Sequence, residues 1–349
     1  MTYLVDTLPG RTLSLDGNEY LYFSGTSYLG ISRNAEFQHH LQEGFARYGT
    51  NYSSSRISNI RLAVLEEAEQ QLAADTGAEA ALTFSSGFLA GQALVRLLQH
   101  EGHCLYAPGT HPALALENPL PSLEKYYTEW VQNLPARLSH IPGSRIILLV
   151  NSLDPLYAEK YDFSWVADLP VDRQITLVID DSHGMGITGV NGSGISGQMQ
   201  PPPHVEVIVV GSLGKALGLP GGVVLGNTRR IAQLQKSPFF TAGSPMPPAY
   251  LYAFLQSQSL YASLRRKLSE NTVLFQQKTA ASDHFRFFDM YPVFHTPHNE
   301  LYGHLYNRRI LISSFPYPSS HDSPITRVII NALHTPEDIE TIAQQISKF

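Results

Sequence analysis

Short, almost wholly apolar runs recur along the middle of this 349-residue chain: AALTF (80–84), RIILLV (145–150), ITLVID (175–180) and VEVIVVG (205–211). They are too short for helices and too uniformly apolar for a sheet with one wet face. A β-strand covered on both faces fits them. Between them lie segments of helical character. SSGFLAGQALVRLL begins a helix directly after AALTF, and residues 34–47 and 62–76 read as amphipathic helices, with Leu62, Leu65, Ala68 and Leu72 near helical spacing. Strands alternating with helices predict an α/β chain with a mostly parallel sheet sandwiched by helices.

The flanks differ. RTLSL and YLYFSG surround a DGN turn and predict a hairpin. After residue 246 a helical stretch (248–280) precedes the strand-like runs RFFDMYPVF, RRILISSF and TRVIINA. A closing helix follows, with Thr335 as N-cap and Pro336 in its first turn. The expected organisation is a large domain over 31–245 and a smaller α+β domain from 1–30 and 246–349. A hydrophobic content of 43% is enough for cores of that size.

Charge and composition remove several classes of function. The net charge is −6 with no lysine–arginine block, which disfavours nucleic acid and anionic membranes as partners. The single cysteine, Cys104, excludes an internal disulfide and a cysteine-based zinc site, and suits a reducing compartment. The first residues lack a basic region followed by an apolar run, and no apolar stretch approaches the roughly 20 residues of a membrane span. A cytoplasmic setting is expected. HTPH (295–298), with His304 beyond, reads as solvated histidines, and no metal site is expected.

Two segments carry chemistry: VIDDSHGMG (178–186) and VVGSLGKALGLPGG (209–222). Each is an apolar strand running into polar residues, the place where α/β proteins put ligands. The first brings Asp180 and His183; the second brings Lys215 among glycines. An aspartate that can keep a pyridine nitrogen protonated, with an amine that can form a Schiff base, is what pyridoxal 5'-phosphate (PLP) chemistry requires. Lys215 past a buried strand would be partly desolvated, which lowers its pKa. A nucleotide-binding P-loop is excluded: Val209 stands where its first glycine belongs, and Ala216 replaces its Ser/Thr. SSGFLAG (85–91) is a strand-to-helix turn whose N–H groups suit a phosphate. Taken singly, Asp180 could be a turn aspartate, His183 a loop histidine, and His111 in APGTHPAL a structural or surface residue.

In chain order these segments resemble the α-oxoamine synthase family of fold-type I PLP enzymes, from about residue 11 to 345. TSYLG (26–30) is similar to the family's Asn-Asp-Tyr-Leu-Gly, YGTNYSSSR (48–56) to its Tyr-Gly…Ser-Arg loop, and AALTFSSGFLAG to its strand and Ser-Gly-Tyr/Phe turn. THPA resembles Asn-His-Ala-Ser, IDDSHGMGITGVNGSG resembles Val-Asp-Glu-Ala-His-Ser-x-Gly, and GSLGKALGLPGG resembles Thr-Leu-Ser-Lys-Ala-x-Gly. FFTAGSPMPP (239–248) and ITRVIINALHTPEDIE (325–340) complete the likeness.

The resemblance implies a transferase that condenses a small amino acid with an acyl thioester, on CoA or a carrier protein, with decarboxylation. Lys215 would be the Schiff-base lysine and proton shuttle, Asp180 the partner of the pyridine N–H, and His183 the contact to the ring hydroxyl. His111 would stack on the ring. Ser86, Gly87, Phe88 and Ser212 would bind the phosphate. Thr241 would reach the cofactor of a second copy, making a homodimer. Arg327, with Thr26, would receive the amino-acid carboxylate. The sequence departs from the family at Thr26 and Ser27 (an Asn-Asp or Asn-Asn pair), Leu65 (a histidine), Pro155 (a serine near the cofactor hydroxyl) and Gly214 (a serine). A PLP enzyme of another reaction type, such as an aminotransferase, and a non-catalytic descendant are the alternatives.

Overall fold

The computed structural model describes residues 3–116, 122–317 and 319–349. Strands β1 (Thr12–Leu15) and β2 (Asn18–Phe23) form the expected hairpin. Its turn residues Asp16 and Gly17 sit at φ 49° and 75°, the mirror-image turn whose twist matches that of paired strands. Helix α1 (Ala35–Tyr48) starts at Asn34, whose side chain accepts from the N–H groups of Glu36 and Phe37. Helix α2 (Ala63–Thr76) leads to β3 (Ala80–Phe84), and α3 (Gly87–Leu98) follows with Ser86 as N-cap. Next come β4 (His103–Tyr106), α4 (Tyr127–His140), β5 (Arg145–Asn151) and the two-residue strands β6 (Leu153–Asp154) and β7 (Glu159–Lys160). Then follow β8 (Gln174–Asp180), β9 (Val205–Ser212) and β10 (Gly222–Gly226). Short helices α5 (Thr228–Leu234) and α6 (Pro238–Thr241) precede α7 (Pro248–Gln256) and α8 (Gln258–Thr279). The chain ends with β11 (Val293–Thr296), α9 (Leu301–Tyr306), β12 (Ile310–Pro316), β13 (Pro324–Ile329) and α10 (Pro336–Ile346).

A six-stranded sheet has the order β3-β10-β9-β8-β5-β4. Its neighbours are parallel from β4 to β9, and β10 runs antiparallel to both β9 and β3. The expected α/β architecture is therefore present, with one reversed strand that the sequence reading missed. A second sheet, β1-β2-β12-β13-β11, joins the first hairpin to the last third of the chain. One apolar cluster runs through both, from Leu177 and Val209 to Phe23, Ile310 and Val328. Thr335 caps α10 in a reciprocal capping box with Asp338, as its sequence suggests.

Two local expectations need correction. The stretch 248–280 is two helices, parted at Ser257. The run RFFDMYPVF yields strand only from Val293, because a turn in which Tyr291 N–H donates to the Phe288 carbonyl, with Met290 at φ 63°, interrupts it. His295 consequently lies inside β11 and is buried, contrary to its expected solvation; His298 and His304 are half-buried.

Candidate active site

The carboxyl ends of the parallel strands gather the sequence-identified residues. Asp180 closes β8, with Asn151 of β5 and Val210 of β9 as its register partners. Ser212 closes β9, and Lys215 sits in the connection to β10. That connection is fixed by its own backbone: Leu213 N–H donates to Gly221 O, Leu219 N–H to Leu213 O, and Gly218 N–H to Lys215 O. Gly218 stands at φ 65°, where a side chain would be strained.

Burial pushes the Lys215 amine down to about 8, against the opposing pull of the Asp180 and Asp181 carboxylates. Asp180 is 8% exposed, and its Oδ1 accepts from Ser182 N–H at 2.9 Å. His111 Nδ1 lies 3.7 Å from Asp180 Oδ2. This contact is not an ion pair: Nδ1 already accepts the Ala113 N–H at 3.1 Å, and burial lowers the His111 pKa. Among the described residues no protein donor bonds Oδ2, so it is available to a ligand N–H.

His111 is placed by Asn151, which the sequence reading missed. Asn151 Oδ1 accepts the His111 N–H at 3.1 Å, and its Nδ2 donates to Gly109 O at 2.7 Å. His183 is deep-set with part of its ring still accessible, and its Nδ1 lies 2.9 Å from the Tyr28 hydroxyl. Burial, with Lys215, Arg327 and His111 around it, holds its pKa well below the usual imidazole range. Tyr291 OH lies 3.3 Å from Tyr28 OH. Tyr28 stood inside a quoted motif without a role, and nothing in the sequence pointed to Tyr291.

The residues expected to bind a phosphate lie at the start of α3 and the end of β9. Ser86 Oγ accepts from Leu89 N–H at 3.1 Å, opening α3, a 12-residue helix whose N-terminal dipole favours an anion. A Cβ on Gly87 would stand 2.7 Å from Ser212 Cα, and one on Gly222 would stand 2.4 Å from Gly87 Cα. Only glycines allow the helix start, β9 and β10 to meet so closely. Gly87, Phe88 and Ser212 therefore lie together beside the Lys215 loop. The site thus fits PLP on its own geometry: a part-desolvated amine, a free carboxylate oxygen on the adjacent strand, and a helix start built to hold an anion.

Arg327, on β13, is 4% exposed and forms no ion pair with a carboxylate among the described residues. Its Nη1 donates to the Pro155 carbonyl at 2.8 Å, Nη2 reaches Ser313 Oγ at 3.4 Å, and Nε is sealed without a partner. Burial lowers its pKa, opposed by Tyr28, Tyr291 and Asp154. His295 faces it across the ladder, with Ser313 on its other side. His295 Nδ1 is also buried without a partner, and burial beside Arg286 and Arg327 brings its pKa to about 4.

Two expected site residues remain apart. Thr241 Oγ1 donates to Ser237 O, and its own carbonyl accepts from Ser55 Oγ; neither bond involves the Lys215 group. Thr26 makes no side-chain hydrogen bond among the described residues, and its neighbour Ser27 accepts from Asn331 Nδ2. No helix among the described residues is long and apolar enough to cross a membrane, and no group of three or more His, Cys, Asp or Glu is arranged to hold a metal.

A mostly parallel sheet with one reversed strand, and a lysine in the loop before it, define the architecture of fold-type I PLP enzymes. The family model for aminotransferase class I and II matches residues 11–346, so the chain belongs to that family. It is similar to 8-amino-7-oxononanoate synthase of Dechloromonas aromatica, at 28% identity over 74% of this chain and 68% of that protein. It is likewise similar to 8-amino-7-oxononanoate synthase of Buchnera aphidicola, at 26% identity over 97% and 91%. A serine palmitoyltransferase solved with PLP superposes with a TM-score of 0.82 at 17% identity, covering 99% of this chain and 92% of that one. The resemblance to α-oxoamine synthases is borne out, and with it the reading of the chain as a PLP-dependent transferase.

Proposed function

We propose that this protein joins a small amino acid to an acyl thioester, with loss of carbon dioxide, to give an α-amino ketone. The observation that carries the reading is the Lys215 amine, depressed to about 8 by burial and standing near Asp180 at one sheet edge. The relatives' product name agrees with it: amine and ketone occupy neighbouring carbons, the bond such a condensation makes.

Bound PLP would supply the electron sink that stabilises a carbanion at the amino acid's Cα. Asp180 Oδ2 would accept the pyridine N–H and keep that ring cationic. The start of α3, with Ser86, Gly87, Phe88 and Ser212, would hold the phosphate. Arg327, buried without a carboxylate of its own, presents its guanidinium to the α-carboxylate of the substrate. Lys215 Nζ then removes the Cα proton; an amine of pKa about 8 has a far larger neutral fraction near neutral pH than an ordinary lysine, as a base requires. His111 lies over the same edge and limits water there.

Two extensions belong to this proposal. Thr241, beside the loop that contains Ser55, serves the site of a second copy, so the working unit is a homodimer. The chain works in the cytoplasm, folded as a large domain (31–245) and a small domain (1–30 and 246–349). The test incubates PLP-loaded protein with glycine, alanine or serine, then adds acyl-CoA or acyl-carrier thioesters. Free thiol released only when both substrates are present supports condensation. Accumulated pyridoxamine phosphate without thiol release would replace it with transamination.

A further inference from the structure

We propose that Tyr28, backed by Tyr291, is a positioning residue that holds His183 as its neutral Nε2–H tautomer. The ring then offers the bound cofactor a hydrogen-bond donor and never an acceptor. This inference rests on the PLP reading above and deepens it, because neither tyrosine belongs to the residues that touch the cofactor in that reading.

Two independent features carry it. The first is backbone geometry. Tyr28 stands at φ 40°, in the left-handed region that bulky side chains avoid. Such strain persists only where the surroundings over-determine it, and it clusters at functional sites. Here the Tyr28 carbonyl accepts from Ala332 N–H at 2.8 Å, and Gly30 N–H closes the turn onto Ser27 O at 3.0 Å. The second feature is where the strained residue aims. Tyr28 is 1% exposed, and its hydroxyl lies 2.9 Å from His183 Nδ1.

The direction of the chain follows from the groups around it. Burial first, and then the neighbouring Lys215 and Arg327, disfavour a positive charge on His183, so the imidazole is neutral. In the proposed arrangement the completely buried Tyr291, 3.3 Å from the Tyr28 oxygen, is the donor to it, and the Tyr28 O–H donates to Nδ1. With Nδ1 accepting, the single ring proton sits on Nε2. A donor held there would stabilise negative charge on the ring oxygen of bound PLP, the group whose ionisation is coupled to that of Lys215 Nζ. Without it, that oxygen becomes more basic, and the coupled ionisation moves to higher pH.

The experiment uses holoenzyme labelled with ¹⁵N-histidine and follows two readouts: the nitrogen shifts of His183, and the pH titration of the visible absorption band. In wild type, Nδ1 should be unprotonated and Nε2 protonated throughout pH 6 to 9. Tyr28→Phe should mix the tautomers and raise the midpoint of the band by roughly half to one unit. Tyr291→Phe should keep the tautomer with a smaller shift. A protonated Nδ1 in wild type, or a Tyr28→Phe protein with unchanged shifts and midpoint, would overturn the proposal. If Tyr28→Phe does not fold, the wild-type nitrogen shifts decide alone. Absence of any Lys215-linked visible band would refute the cofactor reading instead, while the tautomer could still be read in the same sample.

Discussion

Arg56 and Arg327 are both buried arginines, and replacing each by methionine should move stability and activity in opposite ways. Arg56 is paired: its Nη2 donates to Glu69 Oε2 at 2.9 Å, and Glu69 Oε1 also accepts from Thr83 N–H and Thr83 Oγ1, each at 2.7 Å. Arg56→Met strands the Glu69 carboxylate among buried atoms, at a cost of about 3–5 kcal/mol. Arg327 has no such carboxylate. Its removal relieves the desolvation that lowers its pKa. Against this stands the loss of its donor to Pro155 O, about 1–3 kcal/mol for a buried acceptor left unpaired. The two effects oppose, so Arg327→Met should stay within about 1 kcal/mol of wild type. The activity ledger is the reverse. A guanidinium fork on a carboxylate contributes charge-assisted hydrogen bonds of about 1.5–3 kcal/mol each. Losing about 3 kcal/mol lowers kcat/KM for the amino acid by ~150-fold. Thermal unfolding at matched PLP saturation, with thiol-release kinetics, measures both quantities. Should Arg327→Met prove as destabilised as Arg56→Met, or bind the amino acid normally, Arg327 is a structural residue and its assignment to the substrate fails.

Capture of PLP requires a neutral Lys215 amine, so its rate should rise with pH around a midpoint near 8. Because the Asp180 anion raises the Lys215 pKa, Asp180→Asn should move that midpoint to lower pH; stopped-flow absorbance reads it, and a wild-type midpoint near 10 would contradict the burial argument. Asp181 is 1% exposed, and burial lifts its carboxyl from 3.8 to about 7. A raised folded-state pKa gives stability that is present below the unfolded value and lost as pH rises through the folded one. The loss spans pH 4 to 7 and amounts to about 4 kcal/mol. Asp181→Asn should flatten the thermal-stability profile across that window, and parallel wild-type and variant profiles would refute the reasoning.

The parts of the site legible in the sequence are those whose chemistry is local. Asp180 and Lys215 each end an apolar strand, and a strand end is a position that periodicity can find. The reversed strand β10 was hidden because it begins on Gly222, the last residue of the glycine-rich lysine segment, with no turn signal to set it apart. His295 was misread for a related reason. In HTPH it looks like part of a polar loop, but β11 is buried along its whole length, with Val293 to Thr296 all enclosed. Tyr28 and Tyr291 are separated by 263 positions and meet only because β13 leads back to the first turn, where Ala332 N–H bonds Tyr28 O. No local pattern carries that contact.

The departures from the family divide in space in a way the sequence could not show. Leu65 is 2% exposed in α2 and packs in the core, so an apolar residue there serves the fold. Gly214 is exposed, and an added Cβ would meet Ser212 Oγ no closer than 3.5 Å, which leaves the Lys215 loop tolerant at that point. Pro155 and Thr26 belong elsewhere. The Pro155 carbonyl holds Arg327 Nη1, and Thr26 precedes the Ser27-to-Gly30 turn that places Tyr28, whose phenol acts electrostatically on the same guanidinium. Two of the substituted positions therefore bear on Arg327, while Lys215, Asp180, His111 and His183 are those the family uses. If Arg327 receives the amino-acid carboxylate as proposed, what has changed in this chain is the support around that carboxylate, and its difference from its relatives should be sought in the choice and grip of substrate.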